Sequence, residues 1–139
     1  RLGELQASMV YEARLVMEIP LTEYAAKRAT EEDIKCIQDA LETMEKANEI
    51  SVFARADSEF HLAVATASHN GLLIQLYKLA SELLNQISDE LDRLPGVREN
   101  ALSEHKAVMA AIIARDVRAA RESALAHLQR IGRLIRQFG

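Results

Sequence analysis

Asp57 and His61 stand four residues apart in a stretch, Ala56 to Asn70, whose other members include Phe60, Leu62, Val64, Ala65 and Ala67. On a helix that spacing separates two side chains by about 40° around the axis and one turn along it, so both face one place. A helix this apolar has to be surrounded by others. A carboxylate and an imidazole buried within it need partners. The chain is thereby constrained to pack several helices around a polar spot, and the remaining segments must supply what that spot lacks.

Composition agrees with such a bundle. The 139 residues are 49% hydrophobic and 27% charged, with few aromatics, five glycines and two prolines, which points to an all-α fold and away from a sandwich or a disordered tail. One domain of this length buries a core without staples, so any metal would serve function and not folding. The single cysteine, Cys36, has no internal partner; it reads as a small core residue and suits a reducing cytoplasm. No apolar run approaches the roughly 20 residues of a membrane span, and no signal-peptide pattern opens the chain, so a soluble, cytoplasmic protein without a membrane partner is expected. A net charge of −4 argues against a grip on nucleic acid by this segment alone, although six arginines follow Ala111 against only Asp116 and Glu122. Their three-residue spacing drifts around a helix and reads as solvated faces.

Punctuation divides the chain into helices. The first spans about Leu5 to Arg28, with Val10, Leu15, Val16, Ile19 and Tyr24 as inward candidates. Pro20 should kink or break it, since proline removes a hydrogen bond and clashes with the preceding turn. Thr30-Glu31-Glu32-Asp33 reads as an N-cap with acids in the first turn, opening a second helix to about Lys46. Asn48 to Ser51 turns into the third helix, which carries Asp57 and His61 and stops near Ser68-His69-Asn70-Gly71. A fourth runs from Leu72 to about Leu94 and is closed by Pro95-Gly96. Two further helices follow. Were Ala101 to Arg136 one continuous helix, His105 and His127 would lie about 33 Å apart. Ala114-Arg115-Asp116 offers a break instead, with Asp116 as N-cap, and an antiparallel hairpin there brings the two histidines level. An antiparallel bundle of about six or seven helices is expected.

His61, His105 and His127 thus fall on three different helices among apolar neighbours. Each alone reads as a satisfied core histidine. Together with Asp57 they compose a set of three imidazoles and one carboxylate suited to a divalent ion such as zinc, nickel or manganese. A metal-dependent hydrolase or oxygenase bundle would use similar ligands, yet no H-E-x-x-H is present, and Ser58, Leu102 and Ala124 stand three before the histidines where an E-x-x-H would need glutamate. An enzyme is not expected.

The stretch A-D-x-x-F-H-L-A-x-A-x-A-S-H-N, with Arg14-Leu15-Val16-Met17-Glu18 before it and Glu104-His105 and Ala126-His127-Leu128 after it, resembles the C-terminal effector-binding (FCD) domain of FadR-type regulators in the GntR superfamily. The resemblance runs from about Ser8 to Ile135 and is nearest to members that respond to lactate and related small acids. It implies that Asp57, His61, His105 and His127 hold one divalent metal ion, as in the metal-binding branch, with zinc the first candidate and nickel or manganese alternatives. It implies a homodimer, the long apolar faces of the first and fourth helices being candidate interfaces. It also implies that residues 1–139 are an effector-sensing and dimerisation domain whose DNA-reading winged helix-turn-helix is absent from this chain, Arg1 lying where a linker would end. A small carboxylic acid would complete the metal's coordination, and its binding would be passed to the attached DNA-binding domain. Arg14 matches the family's arginine near the cavity and can pair bidentately with a carboxylate; the other reading is a surface arginine paired with Glu18. Asn70 is read as an effector contact or a helix cap, and Arg98, beside Pro95-Gly96, as a cation closing over the cavity mouth or a solvated one. Glu104 is read as a solvated helix residue, or else as an acceptor orienting a histidine. His69, at a turn, is left out of the metal set.

Overall fold

The computed structural model describes residues 4–138, the side chains of residues 4, 5 and 138 excepted; Arg1 lies outside them. Six helices follow one another, and no strand occurs among the described residues: α1 Glu4–Arg28, α2 Glu31–Lys46, α3 Ile50–Ala67, α4 Gly71–Asp92, α5 Val97–Ile113 and α6 Val117–Phe138. The all-α expectation holds. Each boundary has a physical stop. Thr30 caps α2 in a capping box, its hydroxyl accepting from Asp33 N–H while the Asp33 carboxylate accepts from Thr30 N–H. Gly96 precedes α5 with φ of 80°, a left-handed conformation that glycine adopts without strain, and α5 begins directly after it. Asp116 Oδ1 accepts from Ala119 N–H, and the chain reverses between α5 and α6 as the histidine argument requires.

Two expectations about α1 are corrected. The helix continues through Pro20 without a break, Thr22 Oγ1 donating to the Glu18 carbonyl across that turn. The carbonyl deprived of its donor belongs to Val16, whose side chain is 73% exposed, so water can satisfy it. Val16 was expected inside. The inward face of α1 instead follows Val10, Arg14, Glu18, Leu21 and Ala25, which turns Val16 outward about 200° from Arg14. Two charged residues, and not the leucine-valine pair beside them, set the helix's rotation.

Packing places α2 against α3, α1 against α6, and α5 against α6. At Gly132 an added Cβ would lie 2.6 Å from the Tyr11 ring, so glycine is what lets α6 approach α1 there. One large apolar cluster gathers Ile37, Leu41, Met44, Phe53, Phe60 and Ile112; a second gathers Val10, Leu21, Tyr77, Leu84, Ile87 and Ile131. Glu18, His61, His105 and His127 meet at a small space walled by Phe60, Val64 and Val108 of the first cluster and by Leu128. Cysteine 36 is exposed on α2, not in the core.

Candidate metal centre

Asp57 and His61 reach the meeting point from α3, His105 from α5 and His127 from α6. The ring centroids are 4.8 Å apart for His61 and His105, 4.9 Å for His105 and His127, and 5.5 Å for His61 and His127. One ring nitrogen from each lies within 4.8 Å of the others. Asp57 joins from the His61 and His105 side, its Oδ1 3.3 Å from His61 Nε2 and 2.7 Å from His105 Nε2. Ligand atoms bound at about 2.05 Å to a common tetrahedral ion lie about 3.3 Å apart, so these spacings need only small adjustments to close on one. Phe60 stacks on the His105 ring at 4.3 Å and fixes its plane.

Two of the rings face a carboxylate with their other nitrogen. His127 Nδ1 meets Glu104 Oε1 at 2.6 Å, and His61 Nδ1 lies 3.3 Å from Glu18 Oε1. Because an ionised carboxylate only accepts, Nδ1–H is the donor of His127, and its Nε2 keeps a lone pair for a ligand bond. Burial lowers the His127 pKa to about 4 against the pull of Glu104, and burial also lowers that of His105 against Asp57. Both are neutral imidazoles near pH 7, the form that binds metals. Burial alone would raise the Asp57 carboxyl, but hydrogen bonds from His105 and His61 overcome it and hold Asp57 well below the usual range. The donor set suits a zinc-like ion: imidazole nitrogens and one carboxylate, with His127 and His61 backed by carboxylates and His105 held by its stack on Phe60.

Around this centre lie further buried charges. Arg14 is 2% exposed and forms a two-pronged pair with Glu18 on its own helix, Nε to Oε2 at 2.5 Å and Nη2 to Oε1 at 3.2 Å, leaving Nη1 without a partner. The pairing with Glu18 is found, but inside the bundle and not at the surface. Burial would raise Glu18, yet Arg14 and then His61 hold it lowered. Asp92, on the last turn of α4, is 4% exposed; burial and then Asp57 push its carboxyl up to about 9, and its Oδ2 has no partner. A cavity of about 20 Å³ beside the rings, lined by His61, His105, His127, Phe60, Glu18 and Thr22 among others, has room for one water-sized body.

The structure brings together Asp57, His61, His105, His127 and Arg14, and places two other candidates elsewhere. Asn70 caps α4, its Oδ1 accepting from Leu73 N–H. Arg98 donates to the Ala47 carbonyl and stacks over Phe53, pinning the link between α2 and α3. His69 pairs with Asp33 at the surface, 2.6 Å away, outside the metal set as expected. Glu104 is no solvated bystander: it also accepts from Arg130 Nε at 2.6 Å. Sequence reasoning missed Arg130, Asp92 and the contact of Glu18 with His61. For Asp92 a signal exists, since Leu84, Ser88, Leu91 and Asp92 fall on one helical face, all buried.

The FCD domain family matches residues 9–130. The chain is 32% identical over 136 residues to the Uxu operon transcriptional regulator of Escherichia coli K12, covering 91% of this chain and 52% of the relative. It is 34% identical over 133 residues to a putative L-lactate dehydrogenase operon regulatory protein of the same organism, covering 93% and 51%. Among solved structures, a Streptococcus agalactiae GntR protein superposes with a TM-score of 0.75 at 25% identity, over 92% of this chain and 58% of that one. The chain spans about half the length of these relatives. All three names are those of regulators, and the hydrolase or oxygenase reading is not favoured. The chain belongs to the FCD domain family, the effector-binding part of GntR-type transcription regulators.

Proposed function

We propose that this domain senses a small carboxylic acid at a divalent ion held by Asp57, His61, His105 and His127, and passes the binding event to a DNA-binding domain of the full regulator. The observation that carries the reading is the convergence of three imidazoles and Asp57 from three helices on one point, with two rings backed by carboxylates. A bound divalent ion supplies a Lewis-acidic site at which a carboxylate oxygen can replace water. Arg14 supports the effector's carboxylate with its free Nη1, and Glu18 keeps that guanidinium in place. The donor set suits zinc first and accepts nickel or manganese. A lactate-operon regulator among the relatives makes lactate the first acid to test.

The small cavity has room for one water-sized body and for no organic acid as it stands, so α1, α3 and α6 separate slightly when the effector enters. Such a shift is what a coupled DNA-binding domain reads. Leu72, Leu76, Leu79 and Leu83 leave an apolar strip exposed along α4, spaced as a helix-to-helix seam, which supports a homodimer. The full regulator works in the cytoplasm, where its DNA is.

Calorimetric titration of lactate and similar acids into zinc-loaded and chelator-stripped protein tests this. Binding to the loaded protein, lost on stripping and in His61→Ala, is expected. Equal binding to both forms would overturn the metal-centred mechanism.

A further inference from the structure

Tyr77 stands on α4 with 4% of its surface exposed, and no hydrogen bond among the described residues uses its hydroxyl. A buried tyrosine ordinarily finds a partner for its O–H, because a polar group left unpaired away from water costs free energy. This phenol also reaches the charged centre of the bundle. Glu18, Arg14 and Asp57 all act on it electrostatically.

Tyr77 lines a cavity of about 10 Å³ together with Glu18, Thr22, His61 and Val64 among others. The same four residues line the cavity of about 20 Å³ beside the three rings. The two spaces are therefore neighbours across a shared wall, one bordered by His105 and His127 and the other by Tyr77. Neither holds an organic acid alone. An acid that outgrows the first cavity has the second to grow into, and there it meets Tyr77. Of the polar residues lining that second space, Thr22 has given its hydroxyl hydrogen to the Glu18 carbonyl, the Glu18 carboxylate only accepts, and His61 belongs to the metal set. The others apart from Tyr77 are apolar, so the phenol is the donor left.

Resting on the effector reading above, we infer that Tyr77 is a further effector-binding residue, its hydroxyl donating a hydrogen bond to the carboxylate of an acid whose other contacts are the metal and Arg14. A carboxylate has about four lone-pair positions, and the metal and the open Arg14 Nη1 use two of them. A third donor is what complements it. The bond goes to the carboxylate and not to the rest of the acid, so it strengthens binding of simple and substituted acids alike.

The test titrates lactate and propionate into the zinc-loaded domain by calorimetry, for the wild type and for Tyr77→Phe, which keeps the ring and removes the hydroxyl. Tyr77→Phe is expected to bind both acids at least about tenfold more weakly, by the same factor, with zinc content and urea midpoint unchanged. A spectroscopic signature accompanies this. The chain has three tyrosines and no tryptophan, so a near-ultraviolet difference spectrum on adding lactate reports tyrosine. It should be present in the wild type, absent in Tyr77→Phe, and kept in Tyr24→Phe, whose ring lies under the Arg28 guanidinium instead. Acid binding in Tyr77→Phe as tight as in the wild type overturns the inference while the effector reading stands. So does a variant that loses zinc or stability but binds both acids normally once reloaded, since the tyrosine then only supports packing. A wild type that holds zinc and binds neither acid overturns the effector reading, and this inference with it.

Discussion

Two arginine-glutamate-histidine chains flank the centre, and they are built differently. On one side Glu18 spends both oxygens on Arg14, one turn away on the same helix, and lies 3.3 Å from His61 Nδ1. On the other Glu104 divides its oxygens evenly, 2.6 Å to His127 Nδ1 and 2.6 Å to Arg130 Nε, and so ties α5 to α6. The first chain is sealed, with Arg14 and Glu18 side chains 2% and 9% exposed. The second is closer to water, with Glu104 at 21% and Arg130 at 12%. The same three residue types therefore serve unequal ends. The sealed chain is chiefly a charge-neutralising device that lets Arg14 exist inside, whereas the outer chain is chiefly an orienting device that fixes a ring.

That division predicts opposite rankings for stability and for metal binding. The largest stability effect belongs to Glu18→Ala: it leaves the Arg14 guanidinium buried and unpaired, which costs about 3–5 kcal/mol and should show as a lower midpoint in urea unfolding. Glu104→Gln should cost less, about 1–2 kcal/mol, because Arg130 can turn toward water. In metal affinity the order reverses. Glu104→Gln replaces a charged two-oxygen acceptor by an amide whose NH2 end cannot accept, so His127 Nδ1–H and Arg130 Nε–H compete for one oxygen, and it should weaken zinc binding roughly 10- to 100-fold in competition with a chromophoric chelator. Glu18→Ala, which removes the longer, 3.3 Å contact with His61, should weaken it less. A variant pair that ranks the same way in both measurements would break the comparison.

A third histidine-carboxylate pair serves as the exposed control. His69 Nε2 and Asp33 Oδ2 are also 2.6 Å apart, yet His69 lies largely in solvent. His69→Ala should change unfolding by less than about 1 kcal/mol and leave zinc affinity unaltered. Its pH dependence has a definite sign. Slight burial would raise the Asp33 carboxyl, but the Thr30 amide and His69 hold it lowered, so the folded state binds its proton less readily than the unfolded chain. The contribution is complete above the ordinary carboxylate range and is lost as pH falls through the lowered value. Acid unfolding of Asp33→Asn should accordingly lack this small component.

How far the sequence could be read follows the same chemistry. Helix boundaries were legible because Thr30, Asn70, Gly96 and Asp116 are stop or start residues with local causes. The four ligand candidates were legible because histidine and aspartate are conspicuous on otherwise apolar faces. Glutamate and arginine are not conspicuous on a helix, where most are solvated, and so Glu104 was read first as solvated and Arg130 was not singled out. The rotation of α1 was misjudged for the same reason: counting apolar side chains favours Val16, while the structure buries Arg14 and Glu18. Pairing across helices decides such cases, and no single helix contains that information.

The central claim is that Asp57, His61, His105 and His127 together hold one divalent ion. Metal content of the untagged protein by mass spectrometry tests it most directly, with an Asp57→Ala, His61→Ala double variant prepared identically. The account predicts close to one ion per chain in the parent and almost none in the variant. A parent that takes up no ion after incubation with zinc, nickel and manganese would contradict it.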